Sequence, residues 1–156
     1  MRYLTLLALI LWSGVAAADD KYVGYYYPDP ATAEDFTRQL APVPPADRTS
    51  RVNFVTAITK AQLDAPANPR FVLFAKGEAA EHLVMVALDD EVFATIFRAR
   101  AMLAQMTSNF RRTEFFQQAG LSTAGTFFDM LQMLRFETLI ITDGAEWSHR
   151  VNMVRR

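Results

Sequence analysis

The chain has 156 residues, of which 51% are hydrophobic and 21% charged, and its formal net charge is −1. A chain of this length predicts one domain, and the apolar content excludes intrinsic disorder as the main state. The balance of 16 basic against 17 acidic residues gives no support for nucleic-acid binding. Because there is no cysteine, disulfides, thiolate metal sites and a cysteine nucleophile are excluded.

The first 18 residues have the pattern of a secretory signal peptide. Arg2 precedes an apolar run over residues 4–15, and an A-x-A cleavage motif ends at Ala18. The run is shorter than the roughly 20 apolar residues that span a bilayer. We therefore expect cleavage after Ala18, a periplasmic or extracellular location, and no stable membrane span after cleavage. An uncleaved N-terminal anchor is the alternative.

The rest of the chain is predicted to form an N-terminal arm over residues 19–45 and an α+β domain over residues 46–156. In the arm, Asp29-Pro30 is typical of a helix start and predicts a short helix over about residues 31–40. The proline-rich stretch Pro42-Val43-Pro44-Pro45 then separates the arm from the domain.

Within the domain, the strands are predicted to pair in hairpins and the helices to follow one another. Strands are predicted over residues 51–59, 71–76, 83–88, 138–142 and 147–154, and helices over residues 92–110, 113–119 and 123–134. We interpret Asp89-Asp90-Glu91 as a helix cap rather than a calcium site, and Ser122 or Thr123 as the cap of the last helix. This order predicts a single α+β domain, with an antiparallel sheet of two hairpins plus one strand covered by a block of three helices.

Motifs of the common catalytic classes are missing from the sequence. No serine lies in G-x-S-x-G or S-x-x-K, and no glycine pattern matches a nucleotide-binding loop. His82 and His149 are too far apart in sequence for a standard zinc motif, and we interpret them as unrelated imidazoles rather than as zinc or copper ligands. The sequence therefore predicts no catalytic residue, no metal and no cofactor. An enzyme that uses Glu114, Asp129 or the histidines in an uncommon arrangement is an alternative.

Two features suggest binding surfaces. Tyr25, Tyr26, Tyr27 and Pro28 form an aromatic cluster of which at least one ring is expected on the surface, as a contact patch or packed back onto the body. We group them with Glu81 and His82, in the loop between two predicted strands, as a candidate contact surface. The helical region is also rich in phenylalanine, which predicts either an aromatic core or a groove for an apolar ligand; the residues are Phe110, Phe115, Phe116, Phe127 and Phe128.

Several phrases of the sequence resemble a known group of proteins. They are GYYYP at 24–28, ITKAQL at 58–63, RFVLFAKG at 70–77, TEFF at 113–116 and TFFDML at 126–131. They are similar to small exported bacterial proteins of unknown mechanism, some of which are labelled molybdopterin-guanine dinucleotide biosynthesis protein A. The GTP-dependent enzyme of that name has an L-x-G-G-x-S-x-R-M-G loop. This chain has no Gly-Gly pair, so the resemblance implies no catalytic residue here.

The leading hypothesis from the sequence is an exported, non-enzymatic protein-interaction or accessory domain. Its partner would be an unknown protein, with a membrane-associated complex as one candidate. The first alternative is a protein that binds a small apolar ligand, which requires an apolar cavity of at least ~300 Å³. The second alternative is an enzyme with an unrecognised site.

Overall fold

The computed structural model describes residues 32–38, 40–43, 45–89 and 91–155. They form an α+β fold whose elements, in chain order, are β1 (Thr32–Phe36), α1 (Arg48–Leu63), β2 (Phe71–Lys76), β3 (His82–Ala87), α2 (Ile96–Arg111), α3 (Glu114–Gln118), α4 (Phe127–Met133), β4 (Thr138–Thr142) and β5 (Ser148–Met153). The predicted signal peptide and the cluster Tyr25, Tyr26, Tyr27 and Pro28 lie outside the described residues.

The five strands form one mixed sheet in the order β1-β5-β4-β3-β2. β2 pairs antiparallel with β3, and β4 pairs antiparallel with β5. β4 runs parallel to β3, and β1 runs parallel to β5. The expectation of a purely antiparallel sheet was therefore wrong. The chain passes through α2, α3 and α4 between β3 and β4, and a connection of that length allows β4 to enter parallel to β3.

The N-terminal arm contributes an edge strand instead of the predicted helix. Thr32–Phe36 pairs in register with β5, so that Thr32 lies opposite His149. The side-chain amide of Asn152 donates to Asp35 Oδ1 at 2.8 Å across the same pair of strands. The helix predicted over residues 31–40 was wrong because pairing with β5 outweighs the local preference that Pro30 gives for a helix start.

The segment predicted as the strand 51–59 is part of α1. Asp47 caps this helix, since its Oδ1 accepts from the Ser50 amide at 2.8 Å. Hydrogen bonds from the Ser50 amide and hydroxyl hold the pKa of the Asp47 carboxyl below its usual value. Phe54, Val55 and Ile58 pack on the core at helical spacing. The β-branched content of this segment therefore misled the prediction, because tertiary packing outweighs propensity.

Two helices begin later than predicted. α2 is capped by Thr95, whose hydroxyl accepts from the Arg98 amide at 3.3 Å, and not by the acidic triplet. Asp89 instead accepts from the Glu91 amide at 3.0 Å in a turn before the helix, and Asp90 lies outside the described residues. α4 is capped by Thr126 rather than by Ser122 or Thr123.

The main core lies between one face of the sheet and the helices. The register places alternate residues of the strands on this face, and they are buried against α2 and the segment from α4 to β4. The fully buried members include Leu83, Met85, Leu139, Ile141, Phe93, Phe127, Leu131 and Phe136. Phe54 and Ile58 of α1 pack against the same cluster. In the described part of the chain, no helix is long and apolar enough to cross a membrane.

Candidate functional site

An apolar groove of about 510 Å³ separates α1 from α2. Phe54 and Ile58 line it from α1, and Met106 and Phe110 line it from α2, while Phe71 at the start of β2 also contributes. The Gln62 side-chain amide donates to the Phe71 carbonyl at 3.2 Å and ties the end of α1 to β2. The groove therefore has a fixed wall on the side of the sheet and two helices as its other walls.

Small and adaptable side chains explain why the helices leave this space. The α1 face of the groove carries Ala57 and Ala61, whose methyl groups do not reach across to α2. On the opposite wall, Met102 and Met106 are unbranched and polarizable, and such side chains adjust readily to irregular apolar partners. The groove is thus apolar, spacious and lined by residues that can change rotamer around a bound molecule.

A second, smaller cavity of about 230 Å³ adjoins the groove. Arg70, Met102 and Gln105 line both spaces, so the two cavities share a wall. Glu91 and Arg98 also line the smaller one. Among the described residues of its wall, two arginines and one glutamate give one net positive charge beside an apolar space.

A hydroxyl, an imidazole and a carboxylate are aligned between β1 and β5. His149 Nδ1 lies 2.7 Å from Thr32 Oγ1, and His149 Nε2 lies 3.2 Å from Glu34 Oε1 without hydrogen-bond geometry. Arg100 of α2 pairs with Glu34 at 3.0 Å. A similar order of groups activates nucleophiles in hydrolases.

The strand register explains why these side chains lie together. Thr32 lies directly opposite His149, and Glu34 is the next residue of β1 on the same face. None of these residues lines either of the two cavities described above. The cluster therefore holds the edge strand β1 on β5 and, through Arg100, on α2.

The two histidines lie on opposite faces of the sheet, so they cannot share a metal. His82 pairs with Thr138 and His149 pairs with Ile141, and these partners are three residues apart on β4. An odd separation along a strand places side chains on opposite faces. In residues 32–38, 40–43, 45–89 and 91–155, no three His, Asp or Glu side chains are grouped to hold a metal ion.

Asp129 and Glu114 have separate positions and do not form a common cleft with a histidine. The buried Asp129 carboxylate accepts from the Thr126 amide at 2.7 Å and hydroxyl at 2.9 Å, and it pairs with Arg38 at 3.1 Å. Glu114 begins α3 and is exposed. Asp129 thus serves the cap of α4 and links it to the segment after β1.

The two described residues of the predicted contact surface, Glu81 and His82, are held by local hydrogen bonds. Glu81 Oε2 accepts from the Ala79 amide at 2.8 Å, and Glu81 Oε1 lies 3.5 Å from His82 Nε2. His82 Nδ1 is 3.0 Å from Thr138 Oγ1. Both residues are half-buried, so Glu81 and His82 present an ordered loop end rather than extended side chains.

The residues of the groove were largely missed by sequence reasoning. Of the five phenylalanines expected to form a groove, Phe110 alone lines the observed one. Phe116 and Phe127 are buried, and their rings lie 5.9 and 5.7 Å from that of Phe110. The opposite wall was hidden because α1 was predicted as a strand. The recurrence of alanine at Ala57 and Ala61, one helical turn apart, was the available signal.

Comparisons with protein-family models, with curated proteins and with solved structures find no match. No function can therefore be carried over from a relative. Inference about function starts from the groove, its lining and its charge.

Proposed function

We propose that this protein is a non-enzymatic binding protein that holds a small apolar ligand in the groove between α1 and α2. The observation that supports the proposal is the groove itself, with about 510 Å³ of space and an apolar lining. Small-molecule sites in proteins usually have roughly 300–1,000 Å³ and mostly apolar walls with a few polar groups. Gln62, Asn68, Gln105 and Asn109 are amide side chains along this one.

An open apolar groove of this size is unfavourable for the folded protein because it leaves apolar surface exposed to water. The surrounding core is closely packed, with Phe93, Phe116 and Phe136 fully buried. The groove among these residues exposes aromatic rings to water. Burial of that apolar surface would contribute roughly 25 cal/mol per Å². A ligand that covers the partly exposed Phe54 and Phe110 would gain that free energy on binding.

The groove favours the ligand-binding alternative over the leading sequence hypothesis of a protein-interaction domain. The expected partner surface of Tyr25, Tyr26, Tyr27 and Pro28 lies outside the described residues, and Glu81 and His82 are occupied by local contacts. The exported location and the resemblance to small exported bacterial proteins stay predictions from the sequence. A ligand carrier would be compatible with both.

The proposal is tested by filling the groove. Ala61 is exposed at its rim, so Ala61→Trp places an indole in the groove without displacing a buried side chain. Binding of the neutral fluorescent probe N-phenyl-1-naphthylamine is measured by its emission in the presence of protein. We expect saturable binding to the unmodified protein and at least a tenfold weaker affinity for the variant, because the indole occupies the space of the probe.

Ala104→Trp is the matched control. Ala104 is also exposed and helical but does not line the groove, so the same substitution there should leave probe affinity unchanged. Equal affinity of both variants, or no saturable binding to the unmodified protein, would show that the groove is not a binding site.

A further inference from the structure

We infer that the ligand is a single-chain amphiphile with an anionic head group, such as a fatty acid, whose head lies at Arg70. The inference rests on the proposed function and specifies the class of ligand for the same groove. The alkyl chain would occupy the space between α1 and α2, and the head group would lie where the groove meets the smaller cavity.

The position of Arg70 supports the anionic head group. Arg70 directly precedes β2 and lines both the apolar groove and the charged cavity, so it marks the boundary between them. Among the described residues, no carboxylate pairs with the exposed Arg70 side chain, whereas Arg98 in the wall of the smaller cavity pairs with Glu91. An unpaired guanidinium beside an apolar space matches a carboxylate attached to an alkyl chain.

The wall beyond Arg70 strengthens the positive potential. Arg98 lines the smaller cavity and is held there, with its Nη1 2.6 Å from the Glu91 carbonyl and 3.6 Å from the Glu91 carboxylate. In the part of this wall that the structure describes, Glu91 is the one carboxylate and pairs with Arg98, so it leaves the charge of Arg70 uncompensated there. Gln105 lines both spaces and offers an amide donor to the same head group.

The lining favours an alkyl chain over an extended peptide. A peptide backbone presents an amide donor and a carbonyl acceptor at every residue, and burying them without partners is costly. The central wall of the groove offers Phe54, Ala57, Ile58, Met106 and Phe110, none of which has a polar side chain. An alkyl chain has no polar group that needs a hydrogen-bond partner. The polar contacts of the whole ligand are confined to its head group, at the Arg70 end.

The test compares three ligands that share a ten-carbon chain and differ in head group. Decanoate, decanol and decyltrimethylammonium are titrated, below their micelle concentrations and at low salt, against the protein with bound N-phenyl-1-naphthylamine. We expect decanoate to displace the probe at about tenfold lower concentration than decanol, and the cationic ligand to be the weakest. The preference for decanoate should decrease as salt is raised, because the head-group interaction is screened.

Arg70→Gln is the decisive variant, with Arg48→Gln as its control. Arg48 is an exposed arginine at the start of α1 that lines neither cavity. Arg70→Gln should reduce the preference for decanoate over decanol to less than threefold, chiefly by weakening the binding of decanoate. Arg48→Gln should keep the preference, since it removes the same charge from the whole protein but not from the site.

The outcomes separate the two proposals. If decanol and decanoate displace the probe equally from the unmodified protein, the anionic head group is wrong while the apolar groove stands. If both arginine variants reduce the preference equally, Arg70 is not the head-group site. If a designed amphipathic leucine–lysine helical peptide displaces the probe and decanoate does not, the occupant is a peptide and the inference is overturned. If the probe itself never binds, the proposed function fails first.

Discussion

Arg51 joins three separate segments of the chain through backbone carbonyls. The buried side chain donates from Nε to Ala79 at 2.9 Å, and from Nη1 to Leu134 at 3.0 Å and Ala46 at 3.2 Å. The acceptors at residues 79 and 134 directly precede Ala80 and Arg135, which have positive φ angles of 59° and 58°. A left-handed conformation is unfavourable for residues with a Cβ, so these turns need support from their surroundings. Arg51 gives that support to both.

Replacement of Arg51 should therefore destabilise the fold more than replacement of an exposed arginine would. Arg51→Met removes the donors and leaves several carbonyls without partners, and we expect a loss of about 3 kcal/mol in the free energy of unfolding. Arg51→Lys should recover little of it, because an ammonium lacks the planar fork that reaches several acceptors at once. Urea unfolding followed by circular dichroism measures both variants. The control Arg48→Met, at an exposed position one turn earlier, should change stability by less than about 0.5 kcal/mol.

At the scale of single elements, α4 shows how a short helix is fixed at its start. Thr126 and Asp129 form a capping box, in which each side chain accepts from the backbone amide of the other residue. The same Asp129 carboxylate pairs with Arg38, so the helix start is tied to the segment that follows β1. The cap thus links a local signal in the sequence to the position of the helix on the sheet.

Thr126→Ala should lower the free energy of unfolding by about 1 kcal/mol, the usual cost of losing an N-cap side chain. Thr123→Ala provides the control, since Thr123 is exposed and lies three residues before the true cap. It should be neutral in the same thermal or urea unfolding experiment. A larger effect at Thr123 than at Thr126 would mean that the helix begins where the sequence alone suggested.

The elements predicted well from the sequence are those whose hydrophobic pattern and length fit one type of secondary structure only. β2 and β4 have the predicted bounds, and α3 follows its Thr113 cap and ends before Gly120, whose φ is +68°. The two large errors, β1 and α1, are segments whose local preferences conflict with their tertiary partners. β1 exists because β5 is available to pair with it. α1 exists because a buried Arg51 and the apolar residues at helical spacing require a helix.

The candidate site could not be predicted for the same reason. Its wall on the α1 side depends on Ala57 and Ala61 lying one turn apart on one face of a helix. With this segment predicted as a strand, two alanines four residues apart did not indicate a groove between helices. Its charged end depends on Arg70 and Arg98, which are distant in sequence and meet only through the packing of α2 beside β2. Neither residue belongs to a local motif. Groove and charge are properties of the tertiary structure.

At the scale of the whole molecule, β5 determines whether the sheet is complete. It lies between β1 and β4, so the strands from both ends of the described chain meet in the sheet. Val151 and Met153 of β5 also belong to the main core. Without β5, the edge strand β1 has no partner and β4 loses one of its two neighbours.

A chain that ends before Ser148 should therefore fail to fold cooperatively. Removal of β5 takes away the hydrogen bonds to two strands together with the burial of Val151 and Met153. We expect loss of a sharp thermal transition by circular dichroism and rapid cleavage by a nonspecific protease. A chain that ends at Met153 keeps every residue of the sheet and should retain its transition. A protected, cooperatively melting core in the shorter chain would contradict this role of β5.

The position of β5 also affects when the protein can fold during its synthesis. A ribosome releases β1, α1 and the β2–β3 pair before β5, the strand that joins β1 to the sheet, so the growing chain has no complete sheet until β5 has emerged. Chaperones that act on unfolded chains can engage it throughout that interval. Late closure of the sheet is also what the export predicted from the sequence would require, because a chain that crosses a membrane unfolded must not complete its sheet before it has crossed.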